Sequence, residues 1–340
     1  MNITISFIFS WYKFKNWPHS YHAWWGVPSL PETNEENEAF AEFITGDNGV
    51  VCHWLRLGAA GWRLDVADEL PDEFLYGLRE CVHKHTDGEG IIIGEVWENA
   101  AVKSAYGKRR NYFHGRQLDS VMNYPLRNGI IDFVTCGSAE MLYNVLMELY
   151  SSYPRCVSDS LMNILGTHDT ERILTVLGDN YRPDAPNDHL AVMRMTPHEK
   201  EKAIARLKLA SILQYTVYGI PSVYYGDEAG VEGYHDPFCR RTYPWGHEEK
   251  KLIDHYKRLG ELRNIEKAFD RGDFRVLDHG ETTLVFERSK EDSRVVVIAN
   301  GGNENYKVKL DGKWIDMLSY ESYENFISTK PHTARIMKRI

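Results

Sequence analysis

The chain is poor in the features that mark several protein classes, and each shortage narrows what it can be. No apolar run approaches the roughly 18 residues that a membrane helix needs, so no membrane span and no membrane partner is expected. The five cysteines, at 52, 81, 136, 156 and 239, are odd in number, form no C-x-x-C and offer no pair spaced for zinc. The expectation is therefore free or buried thiols in a reducing, cytoplasmic setting, with no metal site. Basic residues are outnumbered, 40 Lys and Arg against 49 Asp and Glu, and the net charge of −9 repels nucleic-acid phosphates. Residues Met1 to Trp11 are apolar but lack a basic start and a small-residue cleavage site. A secretory leader is thus disfavoured, although secretion is not excluded. There is no internal repeat and no low-complexity tract.

What is abundant is aromatic surface. Nine Trp and 20 Tyr supply flat apolar faces that suit sugar rings, and they equally suit core packing. After about 35 residues of aromatic and proline-rich loop, helical and strand patterns alternate. Strands are expected at Trp62–Val66, Ile91–Val96, Ser120–Tyr124, Leu161–Gly166 and Ile220–Tyr225. Helices are expected over Gly49–Gly61, Pro71–His85, Gly137–Tyr150 and Lys250–Arg263. Another begins at Thr196, where a hydroxyl cap, Pro197 and Glu199 form a helix-start signature. Strands alternating with helices of this length imply βα units around a parallel sheet. Beyond Phe269 the pattern becomes short strands separated by polar turns: 274–277, 283–288, 294–299, 306–310 and 335–337. The fold class is therefore α/β, followed by a small all-β antiparallel domain. The expected divisions are 1–35 (loop remnant), 36–268 (barrel) and 269–340 (a β-sandwich).

Acidic residues end most of the parallel strands. Asp65 closes GWRLD, Glu95 closes IIIGE, His168 and Asp169 follow NILGT, and Asp227 and Glu228 follow SVYYG. One such acid is ordinarily a helix cap or a surface group. Four of five strands delivering acids to the same end point to a site, because loops at the C-terminal ends of parallel barrel strands build active sites. Arg63 and Asp65, two apart in a strand, share a face, so the guanidinium keeps that carboxylate ionised. Asp65 fits a nucleophile, and a structural ion pair is the competing explanation. Glu95, after three isoleucines and a glycine and near other acids, is expected to have a raised pKa, as a general acid requires. Two carboxyls with opposed shifts are the equipment of a retaining glycosidase. No strand-end lysine or histidine cluster supports an aldolase or a metal hydrolase, and His53, His83 and His85 receive no role.

Three stretches in order, Gly61-Trp-Arg-Leu-Asp-Val-Ala-Asp-Glu69, Gly94-Glu-Val-Trp97 and Gly166-Thr-His-Asp169, resemble signature regions of the α-amylase family, glycoside hydrolase family 13. The likeness is strongest to its neopullulanase, cyclomaltodextrinase and bacterial α-amylase branch, and it covers nearly the whole chain. It implies a (β/α)8 TIM barrel and retaining cleavage of α-1,4-glucosidic bonds in maltodextrins, cyclodextrins or pullulan. Asp65 would be the nucleophile, Glu95 the general acid/base and Asp169 the third carboxylate that grips the sugar hydroxyls. Arg63, His168 and Trp97 would support that subsite, and Asp236 and Arg240 would contact the next glucose on the non-reducing side. Trp24-Trp25-Gly26 and Leu30-Pro31 resemble the stretch near the family's cleft, where core packing and sugar stacking both stay open for the two tryptophans.

Departures from the family pattern carry their own expectations. Asp68 and Glu69 stand where many α-amylases have a Lys-His pair, which favours small maltodextrins, cyclodextrins or pullulan over long starch chains. Only five βα units can be placed, resembling strands 4 to 8, although a complete barrel takes about 250 residues. The first signature region has no counterpart, and most of the B domain with its common calcium site is missing; no cofactor is needed for the chemistry. The chain thus reads as an N-terminally truncated member with weak or absent catalysis. A non-catalytic sugar-binding remnant is the alternative.

Overall fold

The computed structural model describes residues 7–340, so residues 1–6 of the opening apolar stretch lie outside it. The chain divides into two compact units, up to Val121 and from Met122 onward. In the first, helix α1 (Glu38–Thr45) starts at Asn37, whose side chain accepts from the Phe40 amide at 3.0 Å. Helix α2 (Val50–Arg56) leads to strand β1 (Gly61–Leu64), and helix α3 (Asp72–His85) leads to β2 (Ile91–Gly94). A short strand β3 (Ser120–Val121) completes a parallel sheet in the order β1-β2-β3. Register across it pairs Arg63 with Ile93 and Leu64 with Gly94. Helix α3 buries Leu75, Leu78, Cys81 and Val82, the i, i+3, i+4 stripe expected of an amphipathic helix.

The five thiols are not all free. Cys52 of α2 and Cys81 of α3 meet as a disulfide pair, their Cα atoms 6.9 Å apart, while Cys136, Cys156 and Cys239 stay unpaired. The pairing joins two packed helices across 29 residues, a relation that no local cysteine spacing announces.

In the second unit, helix α4 (Tyr124–Cys136) is capped by Asn123, carries Pro125 in its first turn and ends at Gly137 with φ of 75°. It is followed by α5 (Ala139–Ser152). Strands β4 (Met162–Ile164) and β5 (Ile220–Ser222) pair in parallel, and Met122 makes a parallel bridge to Met162. Between them runs helix α6 (Pro197–Thr216), where the Thr196 and Glu199 side chains reciprocally satisfy each other's backbone amides. Helix α7 (Lys250–Ile265) precedes the antiparallel region. No closed barrel is present among the described residues.

The antiparallel region has six strands where five were expected: β6 (Asp273–His279), β7 (Thr283–Lys290), β8 (Ser293–Asn300), β9 (Tyr306–Asp316), β10 (Ser322–Thr329) and β11 (Thr333–Arg339). They hydrogen-bond in one sheet in the order β6-β7-β8-β11-β9-β10. Strand β10, SYENFIST, was not legible because it is an edge strand whose side chains are mostly exposed and polar. Val285, Val296, Ile298, Trp314, Ile327 and Met337 form the core of one face. The other face meets α6, and there the buried Arg288 donates to the Thr216 carbonyl at 2.9 Å and the Gly272 carbonyl at 3.0 Å.

A second buried arginine organises the loops after β4 and β5. Arg172 is fully buried, donates to the Cys239 carbonyl at 2.6 Å and pairs with Asp227 at 3.2 Å. Its guanidinium also lies over Tyr224 and Tyr225, 4.2 and 4.6 Å from their ring centres. Burial pushes the Asp227 carboxyl up to about 7, with Arg172 opposing the shift.

Two stability outcomes follow from these contacts. Thr196→Ala should destabilise the chain by about 1 kcal/mol in urea unfolding, the usual cost of losing a cap. Asp227 binds its proton more tightly folded than unfolded, so its contribution to stability declines as pH rises from about 4 to about 7. The urea midpoint should therefore fall less between pH 5 and pH 8 in Asp227→Asn than in the parent chain.

Candidate active site

In the first unit the in-register pairing of β1 and β2 sets the chemistry. Because Leu64 lies opposite Gly94, the next residues on each strand, Asp65 and Glu95, emerge side by side. Arg63 Nη1 donates to Asp65 Oδ1 at 2.5 Å and Arg63 Nη2 lies 3.0 Å from Glu95 Oε2, so one guanidinium spans both carboxylates. The Glu95 side chain is only 5% exposed, whereas that of Asp65 is 73% exposed. Glu95 also accepts from the Val66 amide at 2.9 Å and from the Trp97 indole at 3.0 Å. Its surroundings are thus a cage of donors, more polar than the run of three isoleucines suggests.

Two backbone features build that cage, and neither was read from the sequence. Val66 has φ of 39°, a strained conformation for a β-branched residue, and the kink directs its N–H at Glu95. Gly94 is needed for space, since a Cβ there would sit 2.6 Å from Leu118 Cδ1 and 3.1 Å from the Ala67 Cβ. Beyond Val66, Asp68 and Glu69 diverge. Asp68 accepts from the Tyr112 hydroxyl at 2.6 Å and pairs with Lys103 at 3.0 Å, tying down the following loop. Glu69 instead lines an open cleft of about 760 Å³ together with Asp65, Trp24, Trp25 and Tyr106.

In the second unit the residues after β4 form another cluster. His168 Nε2 lies 2.9 Å from Asp169 Oδ2, and Arg240 reaches Asp169 Oδ1 at 3.3 Å while its Nε holds Asp236 at 2.9 Å. The Asp169 amide donates to Thr167 Oγ1 at 3.2 Å, and Cys239 Sγ donates to the His168 carbonyl. Gly166 has no room for a side chain, because a Cβ would meet the Asp227 carboxylate at 2.2 Å. The eight residues singled out from the sequence therefore fall into two sets of four: Arg63, Asp65, Glu95 and Trp97 in one unit, and His168, Asp169, Asp236 and Arg240 in the other. Asp227, also at a strand end, lies outside both, buried against Arg172.

Among the described residues, one group of His, Cys, Asp or Glu side chains converges closely enough to share a metal ion, namely Cys52, Cys81 and His85. Cys52 and Cys81 are already paired with each other, and sulfur and imidazole do not suit calcium, which takes oxygen ligands. No helix among these residues is long and apolar enough to cross a membrane.

Comparisons with known proteins accord with this geometry. Residues 2–275 match the family described as alpha amylase, catalytic domain. An amylopullulanase of Thermoanaerobacter thermohydrosulfuricus is 35% identical over 337 residues, covering 88% of this chain and 22% of that protein. A cyclomaltodextrinase of Thermoanaerobacter pseudethanolicus is 30% identical over 348 residues, covering 96% and 54% respectively. Among solved structures, the cyclic α-maltosyl-(1→6)-maltose hydrolase of Arthrobacter globiformis in complex with maltose superposes with a TM-score of 0.80 at 25% identity. That alignment covers 99% of this chain and 70% of the other. The chain thus spans 22% and 54% of the lengths of these two curated relatives. With most of its length matched by one catalytic-domain family, the chain belongs to the α-amylase family of glycoside hydrolases.

Proposed function

We propose that the chain carries the catalytic carboxylates of a retaining α-glucosidic hydrolase acting on starch-derived oligosaccharides such as maltodextrins, cyclodextrins or pullulan. The observation that supports this best is the Arg63 bridge between Asp65 and Glu95 at the ends of neighbouring strands. Adjacent strands run about 4.8 Å apart, and retaining glycosidases hold their two carboxyls about 5–5.5 Å apart. In-register parallel strands bring both carboxyls within reach of one guanidinium, which supports a close-set pair of the retaining kind.

In this reading Asp65, paired with Arg63 and open to the cleft, attacks the anomeric carbon. Glu95 gives a proton to the departing glycosidic oxygen and then takes one from the water that releases the glycosyl group. In the second unit Asp169, held by His168 and Arg240, offers a carboxylate suited to accept hydrogen bonds from sugar hydroxyls. Trp97 fixes the Glu95 carboxyl, and Asp236 with Arg240 meets the neighbouring glucose. The Arthrobacter protein's maltose complex and the cyclomaltodextrinase relative support a neutral α-glucan substrate.

The reading has two checks. Glu95→Gln should lower kcat for maltotriose about 10²–10⁴-fold while acarbose still binds; unchanged turnover would remove Glu95 from the mechanism. Proton NMR of early hydrolysis should show the α-anomer as the first product, and a β-anomer would rule out the double displacement.

A further inference from the structure

Sequence spacing gives His85 no role and offers no cysteine pair for zinc, yet the packing of α2 against α3 brings such residues together. Cys52 lies in α2, whereas Cys81 and His85, four apart, share a face at the end of α3. The two cysteines are 0% and 5% exposed, and the His85 side chain is 18% exposed. His85 Nδ1 lies 3.3 Å from Cys52 Sγ and 2.9 Å from the Cys81 carbonyl oxygen. One donor atom from each of the three side chains lies within 4.8 Å of the other two.

A disulfide that only ties two helices together has no use for an imidazole beside it. The outer edge of the ring supplies a second observation. His85 Nε2 lies 3.7 Å from Oδ1 of Asp47, in the turn between α1 and α2, and Lys84 contacts both oxygens of that carboxylate at 2.5 and 2.7 Å. A histidine that binds metal through one nitrogen characteristically turns its other N–H toward a carboxylate, which fixes the ring and its tautomer. His85 has a sulfur on its Nδ1 side and a carboxylate on its Nε2 side. Its ring proton can sit on Nδ1, given to the Cys81 carbonyl, or on Nε2, facing Asp47; the second choice leaves the Nδ1 lone pair free. Two thiolates and an imidazole are a zinc-type donor set, and the two negative sulfurs cancel the charge of a buried dication.

We propose that Cys52, Cys81 and His85 form a redox-gated zinc site, closed while the cysteines are joined and open once they are reduced. A dithiol reductant gives two electrons and two protons to the Cys52–Cys81 pair. Their S–S bond breaks, two thiols form, and the reductant becomes its own disulfide. Zn²⁺ then forms two bonds to sulfur and one to His85 Nδ1. Each thiol loses its proton to solvent, the imidazole proton moves to Nε2, and a water completes four-coordination. Helix α2 precedes β1 and α3 follows it, so the metal exchanges one cross-link for another between the helices on either side of the Asp65 strand in sequence. None of the three ligands lines the cleft that holds Asp65, so the site bears on stability and stands apart from the glycosidase reading.

Titration of the full 340-residue chain with Co²⁺ and Zn²⁺ provides the test, after treatment with a chelator and with a phosphine, a reductant that does not compete for zinc as dithiols do. Phosphine should release two thiols beyond Cys136, Cys156 and Cys239, which are already unpaired. Co²⁺ should then produce a near-ultraviolet thiolate charge-transfer band that Zn²⁺ abolishes, and Zn²⁺ should raise the melting temperature of the reduced chain. The oxidised chain should show neither effect. Cys52→Ser and Cys81→Ser should lose the band. Asp47→Asn should weaken zinc about tenfold, and His85→Gln should weaken it further. Cys136→Ser and Cys156→Ser, at exposed thiols, should leave binding unchanged. Absence of the band from the folded, reduced parent chain would overturn the site, as would parental zinc affinity in His85→Gln. Failure of phosphine to release the two thiols, or an equal band in the oxidised chain, would overturn the redox gate.

Discussion

One guanidinium held between two carboxylates fixes the arrangement on which the candidate site depends. Arg63 can reach Asp65 because side chains two apart on a strand share a face, and it can reach Glu95 because the neighbouring strand is in register. A one-residue slip between β1 and β2 would turn one carboxylate to the opposite face and leave Arg63 with a single partner. The chain resists that slip locally. Gly61 approaches the Ile91 backbone too closely for any side chain, and Gly94 packs against Leu118 and Ala67 in the same way. Register, spacing and charge pairing are consequences of one close-packed sheet edge.

The same logic separates acids that share a position in the fold and differ in what surrounds them. Asp65 and Asp227 both follow parallel strands and both have an arginine partner. Arg63 keeps one side of its site open, and Asp65 remains exposed to solvent. Arg172 is sealed between two tyrosine rings and a backbone carbonyl, so the acid it meets is lost to solvent. A buried pair of this kind is costly to break and adds little when complete. Its use is to hold the loops after β4 and β5 in one arrangement, next to the turn that presents His168 and Asp169.

Much of this was legible because the informative residues are local. Strand-end acids, alternating apolar runs and the Thr196–Glu199 capping signature are each read within a few positions, and the structure puts the cap at the start of α6 and Asp65 and Glu95 at the ends of paired strands, whereas Asp227, offered by the same pattern, is buried against Arg172. What could not be read depends on distance or on weak local signals. Helix α4 hides behind a proline and a glycine, both ordinarily helix breakers, and is rescued by Asn123 capping its first turn. Strand β10 is mostly polar because it lies at an edge. The Cys52–Cys81 pairing, the burial of Arg172 and the Val66 amide aimed at Glu95 are tertiary facts, invisible to any window of sequence.

Asp68 and Glu69 show how far such reading reaches. Both stand out in sequence as a departure from a family pattern, and as adjacent acids they look equivalent. The short turn after Val66 sends them in different directions, so that Asp68 meets Tyr112 and Lys103 while Glu69 meets Trp25 and Tyr106. The first is satisfied by a cation and a phenol within the protein, which leaves it a structural anchor. The second has only neutral donors and an open cleft beside it, so its remaining acceptor capacity faces solvent or a ligand. The difference in role therefore comes from the strained residue just before them, whose conformation serves Glu95 on one side and sets the cleft wall on the other.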